Sequence, residues 1–302
     1  MEHTQVEGID IHTYDSGAEG PRFTVLGAIH GNEPCGPEAI RRVMADIESG
    51  NIKITKGTLV LAPVCNPRAV EQDVRFTERN MNRSFYPKDN TLTYEDVLQN
   101  ALCPTLEQAD YLLDLHSYTS PGEAMLIADG GLDNPDYKAF VQACGVPRVI
   151  FGFAEAAANN DDAEDPLHEQ GTNGYARSHG GHALTLECGN HTHPRAGDVG
   201  YQSILNLLGY LNMAEIDEGL HIKDLPEADP YTAKIDKIVM KTRDGRFLHP
   251  MKNMDFVKDG TELAAFEDGE KIVMPYDGYV VMPKEDIDIG YEWMYIASKS
   301  NI

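Results

Sequence analysis

The chain contains few cysteines, little positive charge and no long apolar segment. Its five cysteines include no Cys-x-x-Cys pair, a pattern that predicts a reduced protein without disulfide bonds. No apolar run approaches the roughly 20 residues that span a bilayer, and residues 1–6 lack a basic stretch followed by an apolar core. We therefore expect a soluble, cytoplasmic protein without a membrane partner.

Positive charge is scarce, because 25 lysines and arginines face 49 aspartates and glutamates and leave a formal net charge of −24. An acidic surface gains no counterion release from a polyanion, which disfavours nucleic acid as a partner. A small-molecule anionic substrate therefore needs a local cationic pocket. The 302 residues are enough for a main domain with a smaller companion, and assembly into a homo-oligomer is left open.

The stretch from Leu26 to Glu38 follows the signal of a buried strand. Residues 23–29 are mostly apolar, and the glycines and prolines after His30 predict a loop before a helix over 38–47. Ligands bind at the carboxyl ends of strands in open α/β sheets. His30 and Glu33, three residues apart, can therefore converge on one Zn²⁺ ion. Taken alone, the pair is more often a loop histidine hydrogen-bonded to backbone beside a solvated glutamate.

Two later strands carry polar side chains among apolar ones. Asp114 and His116 lie two residues apart in a strand predicted over 111–117, so both point to one face. His116 is a candidate third ligand, and Asp114 is a candidate for orienting it. Glu187 lies in a strand predicted over 183–189, where burial raises the pKa of a carboxyl and suits it to general-base chemistry.

The connection between residues 66 and 88 is locally cationic, since five positive residues outnumber three negative ones. A loop of this length inside a compact domain is more often functional than idle. Guanidinium groups bind a carboxylate through two parallel hydrogen bonds, so the loop is a candidate anion site. A solvated loop of mixed charge is the alternative.

The rest of the chain predicts alternating helices and strands and then strands alone. Residues 155–169 contain no lysine or arginine and predict an exposed, mobile loop, whose use as a lid is left open. After a polar connection over 217–231, short strands and turns predict an all-β module of about seventy residues. The predicted helices cover 94–109, 136–143, 172–178 and 198–213, and further strands cover 58–65, 124–128 and 148–151.

Taken together, the polar motifs resemble the aspartoacylase and succinylglutamate desuccinylase family, relatives of zinc carboxypeptidases. The resemblance spans most of residues 22–210 and implies an α/β fold. A three-layer α/β/α zinc-carboxypeptidase-like domain with a mixed, mostly parallel sheet would occupy residues 1–222, and a small all-β domain would occupy 223–302. The motifs are, in chain order, His30-Gly-Asn-Glu33, Asn66-Pro-Arg68, Arg75, Asn82-Arg83, Asp114-Leu-His116 and Glu187 in Leu-Glu-Cys-Gly.

The resemblance also implies a reaction, the zinc-dependent hydrolysis of the linear amide bond of an N-acyl amino acid. His30, Glu33 and His116 would bind Zn²⁺ and leave its fourth position for water. Glu187 would be the general base that takes the proton of this water and passes it to the leaving amine. Arg75 matches the arginine that stabilises the developing oxyanion.

Four further residues acquire substrate-binding roles from the resemblance. Asn82 and Arg83 match the pair that fixes a substrate carboxylate. Arg177 matches, more loosely, an arginine that holds the amino-acid part. Tyr291 matches a contact from the C-terminal module.

Three other interpretations of the sequence stay open. A zinc carboxypeptidase-type peptidase acting on a small peptide would need an open groove on the amino side of the scissile bond. The pair His191 and His193 could bind metal as in amidohydrolases. In those proteins such a pair normally lies at the start of a barrel, early in the chain, whereas here it lies late. Residues 272–281 resemble the hairpin of lipoyl-like carrier domains and could form a binding unit, but no lysine lies between Met274 and Val280 for covalent carriage.

Overall fold

The structure, a computed structural model, describes residues 1–158, 170–225 and 231–300. Within these residues seventeen strands cover Glu2–Val6 (β1), Ile9–Asp15 (β2), Arg22–Gly27 (β3), Ile52–Ile54 (β4), Thr58–Ala62 (β5), Tyr111–Tyr118 (β6), Met125–Ile127 (β7), Arg148–Phe151 (β8), His182–Asn190 (β9), Ala214–Ile216 (β10), Tyr231–Met240 (β11), Gly245–Phe247 (β12), Asp255–Val257 (β13), Glu262–Phe266 (β14), Lys271–Val273 (β15), Gly278–Val281 (β16) and Glu292–Ser300 (β17). The α-helices of the same residues cover Cys35–Ser49 (α1), Pro67–Gln72 (α2), Tyr94–Glu107 (α3), Pro135–Ala143 (α4), Phe153–Ala158 (α5), Thr172–Ser178 (α6) and Ala196–Tyr210 (α7). A short 3₁₀ helix covers Glu218–Leu220.

Twelve strands form one mixed sheet in the order β1-β2-β5-β3-β6-β9-β7-β8-β11-β17-β16-β13. At its centre β5, β3, β6 and β9 run parallel, so their carboxyl ends meet at one edge of the sheet. Strand β7 pairs with β9 in antiparallel orientation, and β8 continues parallel to β7. The predicted α/β fold with a mixed sheet is confirmed.

Helices cover both faces of this sheet, because its central strands are apolar on both sides. One core lies under helices α1, α4 and α7 and contains Val25 and Leu113. The other lies under α3 and α6 and contains Leu26 and Leu112. Neighbouring residues of one strand thus enter opposite cores, as the two-residue period of a strand requires. The result is the three-layer α/β/α arrangement expected from the resemblance.

The helix boundaries follow local capping. Helix α1 begins at Cys35 rather than near Glu38, because Pro37 falls in the first turn, where a missing N–H is tolerated. Helix α3 begins after Thr93, which forms a capping box with Asp96. The predicted mobile loop is helical over its first residues, which belong to α5, and residues 159–169 lie outside the described part. None of the described helices combines the length and apolar composition needed to cross a bilayer.

The C-terminal β-rich region extends the same sheet. Strand β11 pairs in parallel with β8, and β17, β16 and β13 follow in antiparallel orientation. A second sheet of β12, β14 and β15 covers a core that includes Trp293 and Leu263. The expected C-terminal β-rich region is present. The main sheet continues from β8 into β11, so a domain boundary between residues 222 and 223 stays a prediction.

Candidate metal centre and active site

The loop after β3 brings His30 and Glu33 to the carboxyl edge of the sheet. Strand β3 ends at Gly27, and Ala28 then has a φ of 46°, in the left-handed region where residues with a Cβ atom are uncommon. The carbonyl of Ala28 accepts a hydrogen bond of 2.9 Å from the N–H of Asn66. This bond ties the loop after β3 to the start of helix α2.

Gly31 holds the other side of this loop. A Cβ atom at this position would fall 2.0 Å from the carbonyl carbon of Ala69 in helix α2, so only glycine allows the close approach. The N–H of Gly31 also donates to the carbonyl of Arg75 at 3.2 Å. The residues that carry His30 and Glu33 are therefore fixed by backbone contacts on two sides.

His30, Glu33 and His116 are buried, and their ligand atoms lie within 4.8 Å of one another. The Oε1 atom of Glu33 is 2.9 Å from Nδ1 of His30, and its Oε2 atom is 2.9 Å from Nδ1 of His116. The two Nδ1 atoms are 3.2 Å apart. These nitrogen, oxygen and nitrogen donors are the ligand types of a catalytic zinc site with an open fourth position.

The second ring nitrogen of each histidine faces an oxygen atom. Nε2 of His30 is 2.9 Å from Oδ1 of Asn80, and this oxygen also accepts a hydrogen bond from the N–H of Asn82. Nε2 of His116 is 2.9 Å from Oδ2 of Asp114. Such partners keep a proton on Nε2 and direct the Nδ1 lone pair toward the site, as they do around metal ligands. Acceptor atoms thus converge where a cation fits.

The charges of the cluster agree with this fit. Burial lowers the pKa of His116, but Asp114 and Glu33 outweigh it and raise that pKa well above its usual value. Burial and the Arg75 guanidinium lower the pKa of His30 to about 4, so this imidazole is neutral. Burial raises the pKa of Glu33, but the two imidazoles outweigh it and lower that pKa far below its usual value. A metal cation can therefore displace the proton of His116.

We expect Asp114→Asn to weaken zinc binding by roughly 10–100-fold, because the partner of a ligating imidazole loses its charge. A competition titration against a chelator of known affinity measures this change. Asp110→Asn is the matched control, since Asp110 precedes the same strand and accepts a hydrogen bond from the N–H of Arg22 instead. Equal zinc affinity in the wild type and in Asp114→Asn would contradict the assigned role.

Glu187 lies next to the cluster. In the register of β6 and β9 it pairs with His116, and its side chain is 8% exposed. Burial, together with the Glu33 carboxylate, raises the pKa of Glu187 to about 7. Its buried Oε2 atom has no hydrogen-bond partner among the described residues. A carboxyl with a pKa near neutrality and one uncommitted oxygen can accept a proton at neutral pH.

The sequence profile of the succinylglutamate desuccinylase/aspartoacylase catalytic domain matches residues 19–208. The chain belongs to this family. A succinylglutamate desuccinylase of Shewanella denitrificans is 29% identical over 181 residues, which are 50% of each chain, so the match spans about half the length of that relative. A succinylglutamate desuccinylase of Idiomarina loihiensis is 23% identical over 327 aligned positions, which cover 95% of this chain and 88% of that protein.

Solved structures of the family share the fold. The structure of a succinylglutamate desuccinylase/aspartoacylase from Rhodobacter sphaeroides superposes with a TM-score of 0.74 at 19% identity. The superposition covers 97% of this chain and 90% of that one, so it includes the C-terminal β-rich region. At this identity the likeness establishes the fold, and the roles of individual residues depend on the geometry of the site.

A cavity of about 670 Å³ opens beside Glu187. Three residues of the cationic loop, Arg75, Asn82 and Arg83, line it together with His30 and His116. Arg75 donates from Nη1 to Oε1 of Glu33 at 2.9 Å. The Oδ1 atom of Asn82 accepts the N–H of Thr172 at 2.9 Å, which fixes the orientation of the amide.

The remaining cations of this loop hold it in place. Arg79 donates from Nε to Asp96 at 2.6 Å, and the guanidinium of Arg68 stacks on the ring of Tyr94 at 3.9 Å. Glu95 accepts hydrogen bonds from the N–H and hydroxyl of Thr77, at 2.8 and 2.7 Å. Helix α3 thus anchors the loop. The loop residues that line the cavity, Arg75, Asn82 and Arg83, stay candidates for the predicted anion site.

Two residues of the C-terminal region complete the charged side of the cavity, and sequence reasoning missed both. Glu292 accepts from Nη2 of Arg83 at 2.9 Å, and Nζ of Lys284 lies 3.8 Å from its other oxygen. Burial raises the pKa of Glu292, but Arg83 and Lys284 outweigh it and lower that pKa to about 2. Burial lowers the pKa of Lys284, which lines the cavity, to about 8. Arg83 therefore carries an internal carboxylate partner.

The structure places two predicted substrate contacts outside the cavity lining. Arg177 lies on α6 beside Asp129 and the hydroxyl of Tyr137, and only Asp129 of these three lines the cavity. Tyr291 is 44% exposed and also lies outside the lining, while its neighbour Glu292 reaches Arg83. The substrate contacts of Arg177 and Tyr291 therefore stay predictions that the cavity lining does not support.

His191 lines the cavity, but it does not join the three-residue donor cluster of the described residues. Its Nδ1 atom is 2.7 Å from the hydroxyl of Ser117. His193 is exposed, and its Nδ1 accepts the N–H of Arg195 at 3.2 Å. The geometry therefore gives no support to His191 and His193 as a metal pair.

Proposed function

We propose that this protein is a zinc-dependent hydrolase that cleaves the amide bond of an N-acyl amino acid. The observation that carries the proposal is the buried His30, Glu33 and His116 donor set beside Glu187, whose pKa is raised to about 7. The relatives named as succinylglutamate desuccinylases support amide hydrolysis as the reaction class.

Zinc fits the donor set, since Nδ1 of His30, Nδ1 of His116 and the Glu33 carboxylate converge, and a bound cation can take the place of the His116 proton. When bound there by His30, Glu33 and His116, it supplies Lewis acidity, which lowers the pKa of a water molecule toward about 7 and polarises a carbonyl. The side chains around it then move protons and stabilise charge.

Glu187 performs the proton transfers. Its uncommitted Oε2 accepts a proton from the attacking water, and the water oxygen forms a bond to the acyl carbon. Glu187 then donates this proton to the amide nitrogen as the C–N bond breaks, so a carboxylic acid and an amine are released. Arg75, which lines the cavity and is held by Glu33, stabilises the negative charge that develops on the carbonyl oxygen.

The charged side of the cavity favours an anionic substrate. Arg75, Arg83 and Lys284 line the cavity, and Arg75 and Arg83 each also bind an internal carboxylate, that of Glu33 and that of Glu292. In a chain with a formal net charge of −24, these three clustered cations are the groups that can bind an anion at short range. We assign the binding of the substrate carboxylate to Asn82 and Arg83.

Hydrolysis of a substrate panel tests the proposed function. The zinc-loaded protein is expected to release free amino acid from N-acyl aspartates or glutamates and to leave unblocked dipeptides intact. Cleavage of the dipeptides with no turnover of N-acyl amino acids would instead favour the zinc carboxypeptidase interpretation. Removal of zinc by a chelator should abolish either activity, and added zinc should restore it.

Replacing the two cavity arginines should separate binding from chemistry. Arg83→Ala is expected to raise KM by roughly 10–100-fold, because charge-assisted hydrogen bonds of about 1.5–3 kcal/mol are lost from both ground and transition states. Arg75→Ala is expected to lower kcat by roughly 10²–10³-fold, because it acts on charge that develops only in the transition state. Steady-state kinetics measures both, with kcat expressed per bound zinc because Arg75 contacts Glu33.

Esterifying the substrate carboxylate provides the control for Arg83. The ester should impair the wild type far more than Arg83→Ala, because the variant has no guanidinium left to lose. Glu292→Gln keeps Arg83 and removes its internal partner, so it should retain the discrimination between acid and ester. If esterification lowers the activity of the wild type and of Arg83→Ala equally, Arg83 does not bind this carboxylate.

A further inference from the structure

The face of the sheet that carries Glu187 continues into an apolar surface. Thr185 and Glu187 lie two residues apart on β9 and share one face, and Thr185 pairs with Ile127 of β7. Because adjacent strands are about 5 Å apart, Ile127 lies one strand spacing from the residues beside the reacting group. Ile127 and Thr185 both line the cavity.

Further apolar side chains continue this surface around the same cavity. Phe153, at the start of α5, contacts Tyr295 of β17 edge to face, with the ring centroids 5.1 Å apart. Met282 and Tyr295 are 9% and 3% exposed. We define the apolar wall as the lining residues Ile127, Phe153, Phe247, Met251, Met282 and Tyr295.

One carboxyl group next to this wall, that of Asp129, already accepts hydrogen bonds from the backbone. Oδ1 of Asp129 accepts the N–H of Gly152 at 2.5 Å and the N–H of Phe153 at 3.3 Å. These bonds fix the backbone that carries the Phe153 ring. Asp129 therefore positions part of the apolar wall rather than offering a free charge to a ligand.

The cavity is thus lined by cationic residues, by the apolar wall and by Glu187, which shares a face of β9 with the partner of Ile127. Its volume of about 670 Å³ falls within the roughly 300–1,000 Å³ of pockets that hold drug-sized ligands. An N-acyl amino acid whose acyl group is acetyl would leave the apolar wall uncovered. The substrate that matches both sides has a carboxylate on one side of the amide bond and a bulky apolar group on the other.

We propose that the acyl group of the substrate is apolar and bulky, either an aliphatic chain of four or more carbons or an aryl ring, and that it packs on the apolar wall. This inference rests on the proposed function. The amino-acid part is assigned to the charged side because Arg83 and Lys284 attract its carboxylate. The acyl part, joined to it through the scissile amide at Glu187, then extends over Ile127 toward Phe153.

A series of N-acyl aspartates tests this inference without any variant. From acetyl through butanoyl to hexanoyl, kcat/KM is expected to rise by about fourfold for each buried methylene, and the benzoyl compound should exceed the acetyl compound at least tenfold. A preference for the acetyl or succinyl compound, or for N-acetylphenylalanine over N-benzoylaspartate, would overturn it while leaving deacylation intact. No turnover of any member by zinc-loaded protein would overturn the proposed function as well.

A variant locates the effect on the wall. Phe153→Ala should reduce the ratio of kcat/KM for the benzoyl and acetyl compounds by about tenfold, because it removes apolar contacts to one acyl group only. Phe256→Ala is the matched control, since this ring is 52% exposed and lies outside the cavity lining, and the ratio should stay unchanged. An unchanged ratio in correctly folded Phe153→Ala, judged by its thermal melt, would overturn the placement of the acyl group.

Discussion

Replacing Glu187 by glutamine is expected to keep zinc bound and to lower kcat by roughly 10²–10⁴-fold. The amide has nearly the shape of the carboxyl group, but it cannot accept a proton from water at neutral pH. Steady-state hydrolysis of an N-acyl amino acid, together with elemental analysis of the same sample, measures the effect. Glu285→Gln is the control, because this exposed carboxylate at the edge of the same cavity has no assigned role.

The stability of Glu187→Gln should change in the opposite direction from its activity. Folding raises the pKa of this carboxyl from 4.5 to about 7, so the unfolded chain ionises first and stability is lost as pH rises between these values. At pH 8 the metal-free variant should therefore unfold with a free energy higher by up to roughly 3 kcal/mol. Near-normal kcat in this variant would identify another group as the base.

Removing the imidazole of His116 is expected to abolish stable zinc binding. The free energy of zinc binding, about 10–16 kcal/mol, comes from only a few ligands. Loss of one ligand should therefore weaken zinc affinity by roughly 10²–10³-fold or more. Elemental analysis after gel filtration should find substoichiometric zinc in His116→Ala, and hydrolysis should fall in proportion.

Two further variants distinguish the loss of a zinc ligand from a loss of the fold. His116→Ala leaves Asp114 and Glu33 buried without their partner, so His116→Asn, which keeps a polar side chain, should be measured beside it. His191→Ala removes an imidazole from the same cavity and should retain one zinc per chain. Full zinc occupancy in His116→Ala would exclude His116 as a ligand and would direct attention to His191.

Much of the fold could be predicted because the central strands carry a strong local signal. The strand with His116 was predicted over 111–117 and covers Tyr111–Tyr118, and the short helix over 172–178 covers Thr172–Ser178. In contrast, the N-terminal hairpin of β1 and β2 was not predicted, since β1 reads Glu-His-Thr-Gln-Val and is mostly exposed. Such a polar edge strand has no apolar pattern, and its turn consists of Glu7 and Gly8, with φ values of 51° and 87°.

Strand β17 was also missed, although its signal was present. The run from Trp293 to Ala297 is buried and rich in residues that favour strands. In the C-terminal region the turns that contain glycine give the stronger local signal, and they mark the shorter strands. Strand β17 carries Glu292, so this site residue could not be placed without it.

The residues of the site also differ in how far the sequence alone could predict them. His30, Glu33 and His116 could be proposed together because they lie at or after the carboxyl ends of two parallel strands and because the combination of motifs resembles the family. Lys284 and Glu292 could not, because their contacts depend on the pairing of β17 with β11 and β16, and Glu292 meets Arg83 across 209 residues of sequence. Predictions for Arg177 and Tyr291 rely on resemblance alone, and neither residue is part of the cavity lining.

Titration of metal-stripped protein with zinc tests the central claim most directly. If His30, Glu33 and His116 hold the ion that amide hydrolysis requires, hydrolysis of an N-acyl aspartate is absent without metal, rises linearly with added zinc and levels off at one equivalent per chain. His116→Ala should show no such rise over the same range. Hydrolysis by stripped protein at the full rate, or a rise in His116→Ala that matches the wild type, would contradict the assignment of this site.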